Sequence, residues 1–186
     1  MEHITLYLVT GNRNKYLEAL DALKGTRIDL RMLEMEKTEI QADRVEDIAL
    51  YAAQSAYQRT SLPVVVDDTG LYIDALNGFP GPYASYVYKT IGLEGVLRLL
   101  NGTDDRRACF KTAVAAVIGN KSIIATGETC GWIAQEPRGG YGFGYDPIFI
   151  PEGSSKTYAE MTLEEKNRYS HRSKAFKKLA VLLGGL

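Results

Sequence analysis

The opening third of the chain alternates between strand-like and helix-like patterns, and this alternation constrains the fold more than any other feature. Residues 4–10 are largely apolar, residues 28–32 alternate between apolar and polar side chains, and residues 62–66 are apolar on both faces. Behind Gly11-Asn12 and again behind Asp43, apolar residues recur instead at helical spacing. A strand-helix-strand-helix-strand order predicts a parallel sheet covered by helices. The expected fold class is therefore α/β.

The two helices of this opening segment are predicted from their apolar faces and from the residues at their ends. Gly25 can end the first helix, because glycine readily adopts the left-handed conformation that follows many helices. Asp43 and Glu46 match a capping box at the start of the second helix. The residues predicted to face the core are Tyr16, Leu17, Leu20 and Leu23 in the first helix and Val45, Ile48, Ala49, Ala52 and Ala56 in the second.

The second half of the chain predicts a hairpin of long strands. Residues 108–118 and 122–134 are strand-like and are separated by a tight turn at Gly119-Asn120-Lys121. After a glycine-rich loop, residues 147–150 predict another short strand. No linker, repeat or low-complexity stretch divides the halves, so residues 1–186 are expected to form one domain.

Helices are predicted on both sides of this hairpin. Thr162 and Glu165 match a second capping box, and Ser170 is a suitable N-cap for the last helix. The residues predicted to form the apolar faces are Leu93, Val96, Leu97 and Leu100 before the hairpin and Phe176, Leu179, Ala180 and Leu183 in the last helix.

Composition excludes several classes of protein. The 22 basic and 23 acidic residues give a net charge of −1, which provides no overall basic field for sequence-independent nucleic-acid binding. No apolar run approaches the roughly 20 residues of a membrane-spanning helix, and the N-terminus has no secretory pattern. Cys109 and Cys130 are too few for a disulfide framework and too isolated for a thiolate metal site. A soluble, reduced, cytoplasmic protein is therefore expected.

The first strand-to-helix turn has the groups of an anion site. Thr10 and Asn12 place polar side chains beside a helix N-terminus, where free backbone N–H groups and the helix dipole favour an anion, and Lys15 adds a positive charge. The spacing differs from that of a Walker A motif. An ordinary capped helix with a solvated lysine remains the alternative interpretation.

Two adjacent acids follow the predicted interior strand. Asp67 and Asp68 are expected at its carboxyl end, where open α/β sheets bind ligands, and only one of them should face the cleft. Neighbouring carboxylates repel each other unless a cation offsets them, which favours a hard metal such as Mg²⁺. Glu39 is expected on the same sheet edge. The alternative interpretations are solvated acids at a strand-end turn and, for Glu39, a solvated loop acid.

Two later segments have the groups of a base-binding site. The glycine-rich stretch 139–147 carries aromatic residues that can stack on a base, and Asp146 can accept hydrogen bonds from ring N–H or amino groups. His171 and Arg172 place cations in the first turn of the last helix, against the helix dipole, which suggests a compensating anion or carbonyl. A flexible hairpin loop and a surface histidine are the alternatives.

These segments, in this order, resemble the inosine triphosphate pyrophosphatase family, whose enzymes remove non-standard purine nucleoside triphosphates. The matching segments are T-G-N-R-N-K at 10–15, T-E-I-Q at 38–41, D-D-T-G-L at 67–71, F-P-G-P-Y at 79–83, F-G-Y-D-P-I-F at 143–149, E-K-N at 165–167 and S-H-R at 170–172. The match extends over nearly the whole chain, and the ordered occurrence of the motifs is more specific than any one of them.

The resemblance implies Mg²⁺-assisted hydrolysis of ITP, dITP or XTP to the monophosphate and pyrophosphate. Asp68 matches the proton acceptor, and Glu39 together with Asp68 matches the metal ligands. The residues implied for the triphosphate are Thr10, Gly11, Asn12, Arg13, Asn14, Lys15, Thr69 and Lys166, and those implied for the base are Phe143, Gly144, Tyr145, Asp146, His171 and Arg172. A homodimer and a two-lobed mixed α/β fold, with an elongated central sheet and a nucleotide cleft, are also implied.

One position departs from the family pattern. Many members carry a lysine sixteen residues before the catalytic Asp, where this chain has Ala52, so the phosphate contacts are expected to differ in detail. Two other functions remain open: a non-catalytic nucleotide sensor and a pyrophosphatase that acts on other modified nucleotides. Arg172 and backbone N–H groups would favour the 6-oxo group of hypoxanthine or xanthine over the amino group of adenine.

Overall fold

The computed structural model describes residues 3–184, in which a mixed seven-stranded sheet forms the centre of the molecule. The strands are β1 (Ile4–Val9), β2 (Ile28–Leu33), β3 (Val64–Ile73), β4 (Pro80–Gly81), β5 (Arg107–Ile118), β6 (Lys121–Ile133) and β7 (Phe149–Pro151). Their order is β2-β1-β3-β5-β6-β7, with β4 paired to β3. The ends of the predicted domain, residues 1–2 and 185–186, lie outside the described residues.

Helices cover both faces of this sheet, which confirms the predicted α/β class. They are α1 (Arg13–Ala22), α2 (Val45–Thr60), α3 (Ala84–Thr90), α4 (Gly92–Leu99), α5 (Leu163–Tyr169) and α6 (His171–Leu182). Helix α2 packs on β3 and β5, whereas α6 packs on β5 and β6 and contacts α1. The pairs β1–β2 and β1–β3 are parallel, as the opening pattern predicts, and the remaining pairs are antiparallel.

The apolar face predicted for α2 is confirmed. The face predicted for α1 is right for Leu23, which is buried, and for Tyr16, which packs against the core, and it is wrong for the two residues between them. Leu17 and Leu20 are exposed, whereas Ala19 and Ala22 are buried towards α6 together with Glu18. Small side chains let α1 and α6 approach closely, and the carboxylate of Glu18 is buried because cations from α5 and α6 pair with it. The periodic pattern missed this face because an acid occupies it.

The capping predictions have mixed outcomes. Arg44 is the N-cap of α2 and makes no capping hydrogen bond, so the predicted Asp43 box is wrong. Glu46 instead forms an ion pair with Lys111 of β5. The box at residues 162–165 is confirmed, and the Ser170 side chain accepts a hydrogen bond from the backbone N–H of Ser173 at the start of α6.

Strand β3 continues through the acidic motif instead of ending at it. All ten of its residues pair with β5, including Asp67 with Val114 and Asp68 with Ala113. The parallel neighbour β1 ends at Val9, and its last pair with β3 is Leu8 with Val65, near the start of β3. The expectation that the strand ends at the acids is therefore wrong, yet the acids still lie where the parallel part of the sheet stops.

Near the other end of the sheet, one strand begins later than predicted. The residues Pro147 and Ile148 belong to a single 3₁₀ turn, Asp146–Ile148, and the strand begins at Phe149. Proline lacks the N–H group that a strand interior would use, which is consistent with its place in the turn.

Cys109 and Cys130 form a disulfide, so the expectation of free thiols is wrong. The two residues are directly opposite each other in the β5–β6 ladder, a proximity that spacing along the sequence does not reveal. The cytoplasmic location stays a prediction, without support from the cysteines. Among residues 3–184, no helix is both long and apolar enough to cross a membrane.

Substituting Gly127 with alanine is expected to destabilise the packing of α6 on β6. An added Cβ would meet the backbone oxygen of His171 and would lie 2.5 Å from the backbone nitrogen of Ala175. Overpacking of this kind costs about 1–3 kcal/mol, which urea unfolding would measure. Gly140→Ala is the matched control, because nothing lies within 4 Å of its added Cβ. Equal stability of the two variants would contradict this assignment.

Candidate functional site

The turn between β1 and α1 is a capped helix start whose lysine points into the protein. The Asn12 side chain accepts hydrogen bonds from the backbone N–H groups of Asn14, at 2.9 Å, and Lys15, at 3.3 Å. The buried Thr10 hydroxyl accepts from the Asn12 N–H. Lys15 lies 3.2 Å from a carboxylate oxygen of Asp67, and 19% of its side chain is exposed. This lysine is therefore paired with an acid and only partly solvated.

Behind this turn, six buried or half-buried charges form a connected network, called here the ion network. Its members are Lys15, Glu18, Asp67, Asp146, Lys166 and Arg172. Three positive and three negative groups make it formally neutral. It joins α1, β3, the glycine-rich loop, α5 and α6 at one point.

Arg172 is at the centre of the ion network. Its Nε donates to Asp67 Oδ2 at 3.0 Å, and its Nη1 donates to Glu18 Oε2 at 2.7 Å. Its Nη2 donates to the Thr69 hydroxyl at 3.2 Å. The sequence predicts that an anion or carbonyl compensates the cations in the first turn of the last helix. This prediction is confirmed for Arg172, whose anionic partners are Asp67 and Glu18.

Lys166 connects Glu18 to the glycine-rich loop. Its Nζ lies 2.5 Å from Glu18 Oε1 and 2.6 Å from Asp146 Oδ2. The same oxygen of Asp146 accepts the backbone N–H of Phe143 at 2.9 Å, so the carboxylate also holds the loop in place. The ring of Phe143 faces both Lys166 and Arg172, with centroid distances of 5.0 and 5.6 Å.

The two adjacent aspartates have opposite electrostatic surroundings. Burial alone would raise the pKa of Asp67, but the charges of Lys15 and Arg172 outweigh it and hold that pKa well below its usual value. Asp68 lies on the other face of β3, where burial raises its pKa to about 6 against the opposing effect of Lys15. Asp67 is therefore a fixed anion, and Asp68 can exchange a proton near neutral pH.

Asp68 also has the surroundings of a cation ligand. One of its carboxylate oxygens is buried without a hydrogen-bond partner among residues 3–184. Glu39, in the segment between β2 and α2, is near enough for its charge to raise the pKa of Asp68. Lys37 Nζ lies 2.9 Å from Glu39 Oε1 and 3.5 Å from the Asp67 carbonyl oxygen. Carboxylate oxygens with a free coordination position suit a hard divalent cation.

The glycine-rich loop is held by its own contacts. Gly142 and Gly144 have positive φ angles of 75° and 60°, which favour glycine. The Tyr145 ring is buried, packs edge-on against Tyr88 and Phe110, and donates its hydroxyl to the Ala84 carbonyl oxygen. Core packing thus occupies Tyr145, which leaves the Phe143 ring as the aromatic face at the site.

His171 is buried and neutral. Burial, reinforced by the charge of Arg172, lowers its pKa well below the usual value, so the expectation of a cation at this position is wrong. Its ring stacks on Phe110 at 4.6 Å, and its Nδ1 lies 2.6 Å from the Thr112 hydroxyl.

Three residues of the site were not anticipated from the sequence. Glu18 was missed because the face of α1 was assigned from its leucines. Lys37 directly precedes the matched segment 38–41 and carries no signal of its own. Thr112 did have a signal, since it is a polar residue on the inward side of an otherwise apolar strand, and it is fully buried.

Asparagine substitutions of the two aspartates are expected to change stability in opposite directions. Without metal at pH 8, Asp68→Asn should raise the free energy of unfolding, because the folded protein favours the protonated form. The shift from 3.8 to about 6 corresponds to roughly 3 kcal/mol. The cost of ionising Asp68 in the folded protein is absent below the pKa of the unfolded chain and develops as the pH rises towards 6. The gain in stability from Asp68→Asn should therefore vanish near pH 4.

Asp67→Asn is the matched control for this experiment. It leaves Lys15 and Arg172 without an anion, and breaking a buried pair costs about 3–5 kcal/mol. Urea unfolding in EDTA at both pH values would measure both variants. Destabilisation by both substitutions at pH 8 would contradict the opposite surroundings assigned to the two carboxylates.

The chain is similar to known proteins over nearly its whole length. Residues 6–182 match the model of the Ham1 family. The chain is 56% identical over 176 residues to the dITP/XTP pyrophosphatase of Pyrobaculum aerophilum, covering 95% of this chain and 94% of the relative. It is 50% identical over 182 residues to the dITP/XTP pyrophosphatase of Ignicoccus hospitalis, covering 97% of each. The solved structure of a HAM1 protein from Coxiella burnetii is 32% identical, with a TM-score of 0.82 and coverages of 97% and 98%.

Proposed function

Because this chain belongs to the Ham1 family, we propose that it hydrolyses non-standard purine nucleoside triphosphates such as dITP, ITP and XTP. The products are the nucleoside monophosphate and pyrophosphate. The names of the curated relatives support this substrate class. The observation that carries the proposal is Asp68, a largely buried carboxylate with an unpartnered oxygen and a raised pKa beside two lysines.

In this proposal the triphosphate lies along the β1–α1 turn. Residues 10–15 provide a helix start and the ammonium group of Lys15, and Thr69 adds a hydroxyl beside Arg172. The charge of Lys37 is near those of Lys15 and Asp68. It would supply a second ammonium group in a chain that has Ala52, a buried residue of α2, where many family members carry a lysine. Lys166, held by Glu18 and Asp146, is the other cation assigned to the substrate.

Glu39 and Asp68 are proposed to hold Mg²⁺. The bound ion would offset the charge of the phosphates and lower the pKa of the attacking water. Asp68 is proposed to accept a proton from that water, since a carboxyl group with a pKa of about 6 is mostly ionised at neutral pH and still basic enough to act. Lys37 forms an ion pair with Glu39, at 2.9 Å.

The base is proposed to lie against the ring of Phe143. Arg172 and Lys166 lie over this ring, and the face of an aromatic ring is a suitable surface for stacking a planar base. Arg172 and His171 would donate to a 6-oxo group, whereas an adenine amino group would leave a donor unpaired, at a cost of about 1–3 kcal/mol. Asp146, Gly144 and Tyr145 hold the loop in position, and the loop's shape then defines one side of the base site.

Product analysis with a panel of nucleotides tests this proposal. With Mg²⁺, ITP, dITP and XTP are expected to yield pyrophosphate and monophosphate in preference to ATP, and EDTA should stop the reaction. Asp68→Asn is expected to abolish turnover nearly completely while nucleotide binding remains. Release of orthophosphate, or equal rates with ATP, would contradict the proposal.

The same panel decides between the other functions. Tight triphosphate binding without turnover would identify a nucleotide sensor. Faster hydrolysis of modified pyrimidine triphosphates would identify a pyrophosphatase of different specificity. The preference between ITP and XTP follows from the same kinetic data.

A homodimer is also proposed, with α3 at the interface. Five large apolar side chains are exposed on α3 and beside it, and they are Phe79, Tyr83, Tyr86, Tyr88 and Ile91. An apolar cluster of this kind commonly marks a protein interface. A cytoplasmic location stays a prediction.

The substitution Tyr86→Glu tests the interface. Tyr86 is 68% exposed, so a charge there should leave the fold intact and separate the protomers. Sedimentation velocity should show a dimer for the natural protein and for Tyr51→Glu, a matched control on α2, and a monomer for Tyr86→Glu. A dimer in all three proteins would place the interface elsewhere.

A further inference from the structure

Two threonine hydroxyls connect Arg172 to His171. Arg172 Nη2 lies 3.2 Å from Thr69 Oγ1, which lies 2.7 Å from Thr112 Oγ1, which in turn lies 2.6 Å from His171 Nδ1. The link exists because Thr69 and Thr112 are directly paired in the β3–β5 ladder, with their side chains on the α6 face of the sheet. Thr112 is fully buried, and 3% of His171 is exposed.

The direction of the hydrogen bonds in this link follows from donor counting. Arg172 is an obligate donor, so the Thr69 oxygen must accept from it. If Thr69 then donates to Thr112, and Thr112 donates to His171 Nδ1, every hydroxyl hydrogen in the link has an acceptor. In the opposite direction the Thr69 oxygen would accept twice, and its own hydrogen would need an acceptor outside the link. A buried hydrogen-bond chain favours the arrangement in which all donors are used.

We infer that Thr112 is a positioning residue that fixes His171 in the tautomer with the proton on Nε2. A nitrogen that accepts a hydrogen bond has no proton, so Nδ1 is the acceptor and Nε2 carries the N–H. Nε2 makes no hydrogen bond to residues 3–184. It is therefore the nitrogen available to a ligand.

The surroundings of His171 keep this arrangement in place. The imidazole ring stacks on Phe110 of β5. The ring of Tyr158, in the Tyr158–Glu160 turn, also faces it. Burial lowers the pKa of His171 and keeps the imidazole neutral. The nearby cations Arg172, Lys166 and Lys15 lower this pKa further, against the opposing charge of Asp67. On its backbone side, β6 approaches closely at Gly127. A ring held in this way cannot turn to exchange its two nitrogens.

The consequence for selectivity rests on the proposed function. An Nε2–H beside the Arg172 guanidinium places two donors next to each other at this side of the base site. Such a site favours a carbonyl oxygen on the purine ring and disfavours an amino group. Thr112 would therefore contribute to base selectivity through His171, without contact between Thr112 and the nucleotide.

NMR of protein labelled with ¹⁵N-histidine tests the tautomer without any nucleotide. The chain has only two histidines, His3 and His171, and a His3→Gln variant assigns their signals. In the natural protein, Nε2 of His171 should be protonated, and Nδ1 should be an unprotonated nitrogen shielded by a hydrogen bond. Thr112→Val, which keeps the shape of the side chain, should move the Nδ1 signal downfield or average it over two tautomers. Thr112→Ser should restore the natural signal.

Kinetics with the same variants tests the effect on selectivity. The ratio of kcat/KM for ITP to that for ATP should fall about tenfold in Thr112→Val, the effect of roughly one hydrogen bond, and recover in Thr112→Ser. Circular dichroism and urea unfolding would verify that both variants fold.

The two measurements separate this inference from the proposed function. Protonated Nδ1 in the natural protein, or an unchanged Nδ1 signal in Thr112→Val, would overturn the tautomer assignment whatever the enzyme hydrolyses. Natural selectivity in Thr112→Val would overturn the contribution to base selectivity while leaving the proposed function intact. Absence of ITP hydrolysis in the natural protein would instead refute the proposed function, and the NMR result would still decide the tautomer.

Discussion

The ion pair between Arg172 and Asp67 is the interaction on which the site depends. A fully buried carboxylate in the middle of a sheet is unfavourable unless a cation is close, and Arg172 and Lys15 provide two. Arg172 in turn needs Glu18, and Glu18 shares its second oxygen with Lys166. The positions of α1, α5, α6 and the glycine-rich loop are therefore coupled through charge as well as through apolar packing.

Much of the fold could be predicted from the sequence, because burial of apolar side chains determines it. The β-α-β-α-β opening, the long hairpin and the face of α2 follow from apolar periodicity, and the structure confirms them. Two of the errors occur where buried polar groups replace apolar ones. Glu18 shifts the buried face of α1 away from Leu17 and Leu20, and the acids at 67–68 lie inside a strand that continues because β5 pairs with it. Periodicity carries no information about which charges will find partners.

The residues of the candidate site divide in the same way, into those that local sequence patterns indicate and those that only the fold brings together. The site's proposed members from the short motifs were predicted from their residue types and from the resemblance of their order along the chain to a known family. Thr112 and Lys37 were missed, since each acts on a neighbour that is distant in sequence or that only the fold brings close. The disulfide was missed for the same reason, because only the register of β5 and β6 places the two cysteines opposite each other.

The ion network also makes the site depend on nearly the whole length of the chain. Glu18 and Arg172 are 154 residues apart, and Lys166 and Glu18 are 148 residues apart. During synthesis, the turn that follows β1 leaves the ribosome long before the helix that supplies Arg172. A nascent chain therefore carries Asp67 and Glu18 without their guanidinium partner until α6 has been made. The complete charge arrangement can form only after α6 has been synthesised, so chains that stop before α6 lack the geometry of the complete site.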